Sequence, residues 1–157
     1  MRRKRALRRK IELDPIYGDR LLTQLINRVM KEGKKALAKR LVYGALEKIR
    51  EQGLDPVKTF NQAVDNVRPS VEVRPRRVGG AAYHVPLSVK GDRQISLALR
   101  WLVLGAQARP NSQYHTFDQK LAAELVDAAQ GVGRAVKKKE EVFRIAEANK
   151  AFAHFRW

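Results

Sequence analysis

The stretch Val71-Glu72-Val73-Arg74-Pro75-Arg76-Arg77-Val78-Gly79-Gly80-Ala81-Ala82-Tyr83-His84-Val85-Pro86-Leu87-Ser88-Val89 decides how the chain is organised. It is the one part that reads as β-structure, with β-branched residues recurring at alternate positions on both sides of Gly79-Gly80. A glycine pair takes positive φ without strain, which a tight hairpin loop requires. Two registers are open. A two-residue loop sets Val71 and Val73 across from Ser88 and Pro86. One further loop residue pairs Val71 with Val89, Val73 with Leu87 and Arg77 with Tyr83, so that each face is chemically consistent. Register follows the hydrophobic face, and the sequence therefore favours an odd-length loop, Gly79 to Ala81.

The base of this hairpin is apolar and its far half is not. Val71, Val73, Leu87 and Val89 sit nearest the body. Arg74, Arg76, Arg77, Tyr83 and His84 crowd the other end, where Arg76, Arg77, Tyr83 and His84 are expected to be exposed. Charges and prolines on a free hairpin guard against edge-to-edge pairing. Arginines among rings equally suit phosphate contact and base stacking. The rest of the chain decides between these readings.

At 157 residues with 44% hydrophobic residues, the chain is long enough for one domain, 1–157, with a real core. No run of about eighteen apolar residues is present, so no membrane span is expected. The opening Met1-Arg2-Arg3-Lys4-Arg5 has no apolar secretory segment. With no cysteine there is no disulfide framework and no cysteine-based zinc site. Thirty-three Lys and Arg against sixteen Asp and Glu give a formal charge of +17. Such an excess repels itself unless a polyanion neutralises it, and nucleic acid is the leading partner.

Outward from the hairpin, the flanking sequence is helical. Asp19 caps a helix to about Lys31, with Leu21, Leu22, Leu25, Ile26, Val29 and Met30 on one face. Gly33 breaks it. The second helix, about Lys34 to Gln52, turns Leu37, Leu41, Val42, Leu46 and Ile49 inward. Asp55-Pro56 opens the third, carrying Val57, Phe60, Val64 and Val67, until Arg68-Pro69 stops it. Beyond the hairpin, Gly91-Asp92 opens a fourth helix that is apolar almost all round from Ser96 to Leu104, the mark of a buried central helix. Thr116 with Gln119 forms a capping box for the fifth, with Leu121, Leu125 and Val126 inward. The last runs from about Val136 to Ala151, with Val142, Phe143, Ile145 and Ala146 apolar. Ile11 to Tyr17 is a lead-in that docks on the body. The expected fold is mainly α: a bundle of about six helices with one extended β-hairpin, 71–89, protruding between the third and fourth.

No catalytic or metal constellation is legible. Gly33-Lys34-Lys35 lacks the spacing of a Walker loop, and Gly131-Val132-Gly133 follows a helix rather than a strand. His84, His115 and His154 lie far apart. Asp118, Glu124, Asp127, Glu140 and Glu141 read as helix caps and solvated faces. What remains is basic. Residues 2–10 hold seven cations, Arg2, Arg3, Lys4, Arg5, Arg8, Arg9 and Lys10, and no acid, which makes 1–10 a flexible arm when free. Arg134 and Lys137 to Lys139 open the last helix against its dipole, a placement that nearby phosphate would favour. The tail Lys150 to Trp157 alternates rings with cations, suiting either burial or RNA contact.

Arg74 to Pro86 resembles the hairpin signature of bacterial small-subunit ribosomal protein seven. Asp14-Pro15-Ile16-Tyr17-Gly18-Asp19, Ile26-Asn27, Leu97-Ala98-Leu99-Arg100-Trp101, Ala135 to Glu140 and Ala148 to Trp157 continue the likeness in the same order. The resemblance implies a cytoplasmic, non-enzymatic constituent of the small ribosomal subunit that binds the 3′ major domain of small-subunit rRNA and organises the head. It places the hairpin near the exit-site tRNA and the mRNA path, with ribosomal proteins nine and eleven as neighbours. Some members also repress translation of their own messenger. No cofactor, membrane or small-molecule substrate is implied. Carried onto this chain, the RNA-binding residues are Arg2, Arg3, Lys4, Arg5, Arg8, Arg9, Lys10, Lys34, Lys35, Arg74, Arg76, Arg77, Tyr83, Lys137, Lys138, Lys139 and Arg156. A helix-turn-helix DNA regulator, built on the first two helices around Gly33, and a basic RNA-processing enzyme are the alternatives.

Overall fold

Local polar caps start the helices where the sequence places them. In the computed structural model, which describes residues 10–78 and 80–155, the Asp19 carboxylate accepts from the Leu21 N–H at 2.7 Å and opens α1, Arg20–Val29. The chain reverses at Gly33, whose φ of +74° lies in the left-handed region, into α2, Lys35–Glu51. Asp55 accepts from the N–H groups of Val57 and Lys58 at 3.0 and 3.2 Å and starts α3, Pro56–Val67, with proline in its first turn. After the hairpin come α4, Asp92–Gln107, and α5, Phe117–Ala129, the latter opened by the Thr116/Gln119 capping box. The last helix, α6, is Arg134–Ala148, and a 3-10 turn, Lys150–Phe155, follows it.

α4 and α5 cross at the centre. α5 lies against α2, α3, α4 and α6, while α4 also reaches α1 and α3. Leu99 and Leu102 of α4 and Leu121 and Leu125 of α5 are shut off from solvent together with Leu22, Leu25, Ile26, Leu46, Ile49 and Phe60. Each such side chain gains about 1.5–3 kcal/mol on leaving water, so this cluster holds the bundle together.

Two helix faces differ from expectation. On α2 the residues turned inward are Ala38, Val42, Ala45, Leu46 and Ile49, while Leu37 is half exposed. Ala38 and Ala45 let α2 come close to its neighbours; a reading weighted by side-chain size favours leucine and misses this. On α6 the buried residues are Ala135, Val136 and Ala146, and Phe143 is half exposed. α6 also ends at Ala148 rather than Ala151. There the Asn149 side chain and its own backbone N–H both donate to the Ile145 carbonyl, at 2.8 and 3.1 Å, and cap the helix end.

The lead-in does dock, through a polar hook. Asp14 is buried, and its carboxylate accepts from the N–H groups of Ile16 and Tyr17 and from the Tyr43 hydroxyl at 2.7 Å. The Tyr17 and Tyr43 rings meet at 6.2 Å, while Leu13 and Ile16 point out to solvent.

The hairpin is β1, Val71–Val78, antiparallel to β2, Ala81–Ser88, in the register the sequence disfavours. Val71 faces Ser88, Val73 faces Pro86, Arg76 faces Tyr83 and Val78 faces Ala81. Gly79 and Gly80 are left between the strands. Gly79 lies outside the described residues; Gly80 has φ +87°. The odd-length loop is therefore corrected to two residues. The cause lies in which ribbon positions are buried. Val85 is fully buried and Glu72 nearly so, whereas Val71 and Val73 are only half-buried. Glu72 tolerates that position because its carboxylate accepts from Arg93 at 2.8 and 3.0 Å and pairs with Arg74 at 2.6 Å. A paired charge counts as an inward residue, which hydrophobic alternation cannot register. The ribbon lies along α6 and the 3-10 turn, and Val85 and Ala146 are buried there outside the main core.

Candidate nucleic-acid interface

The described cations fall into two groups, those held by the protein's own acceptors and those left free. Lys139 is half-buried, and its ammonium donates to the Asn66 carbonyl at 2.6 Å, tying α6 to α3. Lys138 pairs with Glu141 at 2.9 Å on the same helix, and Lys34 pairs with Glu32 at 2.7 Å in the open. Arg74 is engaged by Glu72. By contrast Lys35, Arg77 and Lys137 are exposed, and no carboxylate among the described residues lies within 4 Å of them. Lys10 is exposed and Arg76 is half-buried. Arg2, Arg3, Lys4, Arg5, Arg8, Arg9 and Arg156 lie outside the described residues.

The lysines of α6 are presented by a buried ionic seat that the sequence reading assigned to caps and solvated faces. Glu124 is fully buried, and its carboxylate accepts from the Ala135 N–H at 2.8 Å, in the first turn of α6. Its other oxygen accepts from Arg109 Nε at 2.9 Å, and Arg109 also bonds Asp127. Burial alone would lower the Arg109 pKa, but the hydrogen bonds to Asp127 and Glu124 raise it instead. Arg134 closes the seat by donating to the Ala108 carbonyl, and Lys120 donates to the Arg109 carbonyl at 2.7 Å. A carboxylate at a helix N-terminus offsets the dipole that the three lysines oppose. They are tolerated without a phosphate beside them. The signal that could have revealed this is Arg109, an arginine in the polar loop after a buried helix and close to an acid-bearing one.

Tyr83 is not the free ring expected at the hairpin's far half. It is half-buried, with its centroid 4.9 Å from Phe152 and 5.4 Å from Phe155 of the 3-10 turn. Phe152 and Phe155 stack at 6.3 Å, and the His154 ring lies 4.0 Å from Phe155. The aromatic tail therefore packs on the hairpin. Its signal was the alternation of rings after Lys150, but the partner surface is distant in sequence. His84 and Arg77 remain exposed on the outer side.

The result is a cationic hairpin whose direction is fixed twice, by Arg93 on Glu72 at its base and by the rings on Tyr83 further out. Beside it stands a helix start whose lysines are held by Glu124. Both present cations on a rigid frame, an arrangement suited to phosphates at set spacings rather than to one groove. Among the described residues no group of three or more His, Asp or Glu could hold a metal ion, and no helix is long and apolar enough to cross a membrane.

Comparison with known proteins agrees with the resemblance carried by the hairpin. Residues 1–150 match the family described as ribosomal protein S7p/S5e. The chain is 55% identical over 161 aligned residues to small ribosomal subunit protein uS7 of Kosmotoga olearia, covering 100% of both chains. It is 53% identical over 158 residues to the uS7 of Thermotoga maritima, again covering 100% of both. The uS7 of Mycolicibacterium vanbaalenii is 54% identical over 153 residues, 97% of this chain and 96% of that protein. On this match along its length, the chain belongs to the ribosomal protein S7p/S5e family.

Proposed function

We propose that the protein is a structural constituent of the small subunit of the cytoplasmic ribosome, acting as one domain that binds the 3′ major domain of small-subunit rRNA. In this role it organises the subunit head and holds its hairpin near the exit-site tRNA and the mRNA path, beside ribosomal proteins nine and eleven. As a member of a structural family it is not an enzyme. The observation that carries the reading is the division of the cations on a chain of charge +17. Arg93, Arg109 and Lys139 are spent on internal acceptors and shape the frame. Arg77, Lys35 and Lys137 are left to an outside anion, and the arm adds Arg2, Arg3, Lys4, Arg5, Arg8, Arg9 and Lys10. A rigid frame carrying free cations on several elements fits folded RNA with its irregular phosphate positions.

The test is equilibrium binding to a 3′ major domain fragment over a range of salt, against duplex DNA of equal charge. Structured RNA should win, with log affinity falling steeply against log salt. Arg77→Gln should reduce the slope by about 0.7–0.9, the contribution of one phosphate. Arg93→Gln should leave the slope alone and loosen the hairpin base. Equal affinity for duplex DNA would overturn the reading.

A further inference from the structure

α4 ends at Gln107 and α5 starts at Phe117, and the loop between them carries Asn111 and Ser112, both exposed. The Tyr114 N–H donates back to the Pro110 carbonyl at 3.3 Å, so the pair lies within the span of a single turn. Against that turn stands a buried charge. Lys120 of α5 is only 8% exposed, and its ammonium donates to the Arg109 carbonyl at 2.7 Å and to Asn111 Oδ1 at 2.5 Å. An ammonium donates and cannot accept, so the amide atom it meets is the oxygen. The nearby carboxylates of Glu124 and Asp127 are held by Arg109, and no carboxylate among the described residues lies within 4 Å of Lys120. The described partners of this buried ammonium are therefore neutral oxygens, which offset its desolvation less well than a counter-charge would.

Other asparagines of the fold are held in the opposite sense. Asn66 donates through Nδ2 to the carbonyls of Ala128 and Ala129, both at 2.9 Å, and Asn149 donates through Nδ2 to the Ile145 carbonyl at 2.8 Å. Their amide nitrogens are anchored. In Asn111 a cation grips the oxygen, and no described acceptor takes the nitrogen. That is the polarity that attack on an amide requires. The carbon is made electrophilic, the oxygen that turns negative already has a charged donor, and the leaving nitrogen is tied to nothing. The Ser112 backbone N–H, next along the chain, donates to no described acceptor either, and its exposed loop position leaves it open to water.

We infer that Asn111 is a site of self-modification, converting to aspartate with the Lys120 ammonium as its electrostatic aid. The Ser112 backbone nitrogen gives its proton to water and attacks Asn111 Cγ. A new C–N bond forms, the Cγ–Nδ2 bond breaks, and ammonia leaves with a proton taken from water, so the intermediate is a cyclic imide. Water then adds to Cγ and reopens the ring to aspartate; addition to the Asn111 main-chain carbonyl would give isoaspartate instead. Overall a water is consumed and an ammonia released, with no oxidant or reductant. Lys120 favours both steps at Cγ, because the oxygen that turns negative each time is the one it holds. The product carboxylate supplies the counter-charge that the buried ammonium lacks, and it fastens the loop to α5 by an ion pair. The inference stands apart from what the protein binds.

The test is peptide mapping by mass spectrometry of the full chain, kept folded at mildly alkaline pH and compared with the same chain unfolded in urea. Chromatography separates the aspartate and isoaspartate products. Asn111 should convert about tenfold faster folded than unfolded, a modest share of the roughly hundredfold or more that one oxyanion donor contributes in an enclosed site. The folded product should be mainly aspartate and the unfolded product mainly isoaspartate, while Asn149 should convert faster unfolded. Lys120→Met should slow the folded conversion and shift its product to isoaspartate, and Lys120→Arg, which restores the charge, should recover much of both. Ser112→Pro, which has no N–H to attack with, should stop the reaction. If Lys120→Met does not fold, the comparison of folded parent with parent in urea decides. Conversion of Asn111 as fast in urea as in the fold, with the same product ratio, would overturn the inference. So would a folded Lys120→Met with parental rate and products, or continued conversion in Ser112→Pro.

Discussion

The rings of Tyr83 and Phe152 lie 4.9 Å apart, a contact that fastens β2 to the 3-10 turn at the far end of the chain. Through it the tail becomes part of the hairpin's support. A two-stranded ribbon is marginal by itself, so its direction has to come from what it rests on. Here that is α6, the tail rings and the Glu72–Arg93 pair.

Phe152→Ala should remove a ring contact contributing about 0.5–1.5 kcal/mol beyond simple burial. Amide exchange in β1 and β2 should speed up by a few-fold to about tenfold, while the amides of α4 and α5 keep their protection. Unchanged exchange in the ribbon would mean that Glu72 and Arg93 orient it without the tail.

Tyr43 gives a prediction at high pH. Burial, then its hydrogen bond to Asp14, push its phenol up from the ordinary value of 10.0 to about 12. The folded state favours the neutral phenol, so the contribution is fully present below about pH 10 and is lost as pH rises from there through the folded value. Tyr43→Phe should flatten the loss of stability in that window. It should also cost about 1–3 kcal/mol at neutral pH and free residues 11–17 to protease. The ultraviolet difference spectrum between parent and variant should place the missing ionisation near 12; a transition at the ordinary tyrosine value would contradict the docked lead-in.

Two helical glycines should respond in opposite senses to the same change. A Cβ on Gly105 of α4 would stand 2.6 Å from Glu124 Oε1 and 2.9 Å from its Cδ, atoms that cannot retreat without giving up Ala135. A Cβ on Gly44 of α2 would meet Asp118 at an ordinary 3.5 Å. Gly105→Ala should therefore lower the unfolding temperature, through displacement of a buried, paired carboxylate. Gly44→Ala should leave it unchanged or raise it, since alanine in a helix interior is favoured by roughly 1 kcal/mol. Equal behaviour of the two variants would show that the Glu124 seat is not tight.

Much of the fold was legible because helix starts are local chemistry. Asp19, Asp55-Pro56 and Thr116 with Gln119 each announce a helix within four residues, and all three do so in the structure. What failed depended on partners far away along the chain. The hairpin register turned on Glu72 being neutralised by Arg93, and Glu124 looked solvated because nothing near it in sequence shows that Arg109 folds onto it. Leu37 fits the apolar pattern of α2 yet stays half exposed, because a helix face is chosen by its neighbours, and here those neighbours fit Ala38 and Ala45 more closely. The candidate site was legible as basic runs and opaque as geometry. Lys137 and Lys139 sit in one run, yet one is free and the other is tied to Asn66.

The central claim is that free cations on this frame grip small-subunit rRNA in its 3′ major domain. Chemical footprinting of the full chain on the organism's own small-subunit rRNA tests it most directly. Protection should be confined to nucleotides of that domain, and it should shrink but not vanish when Arg77 is replaced by Gln. Protection spread evenly over the RNA, or located in another domain, would contradict the account.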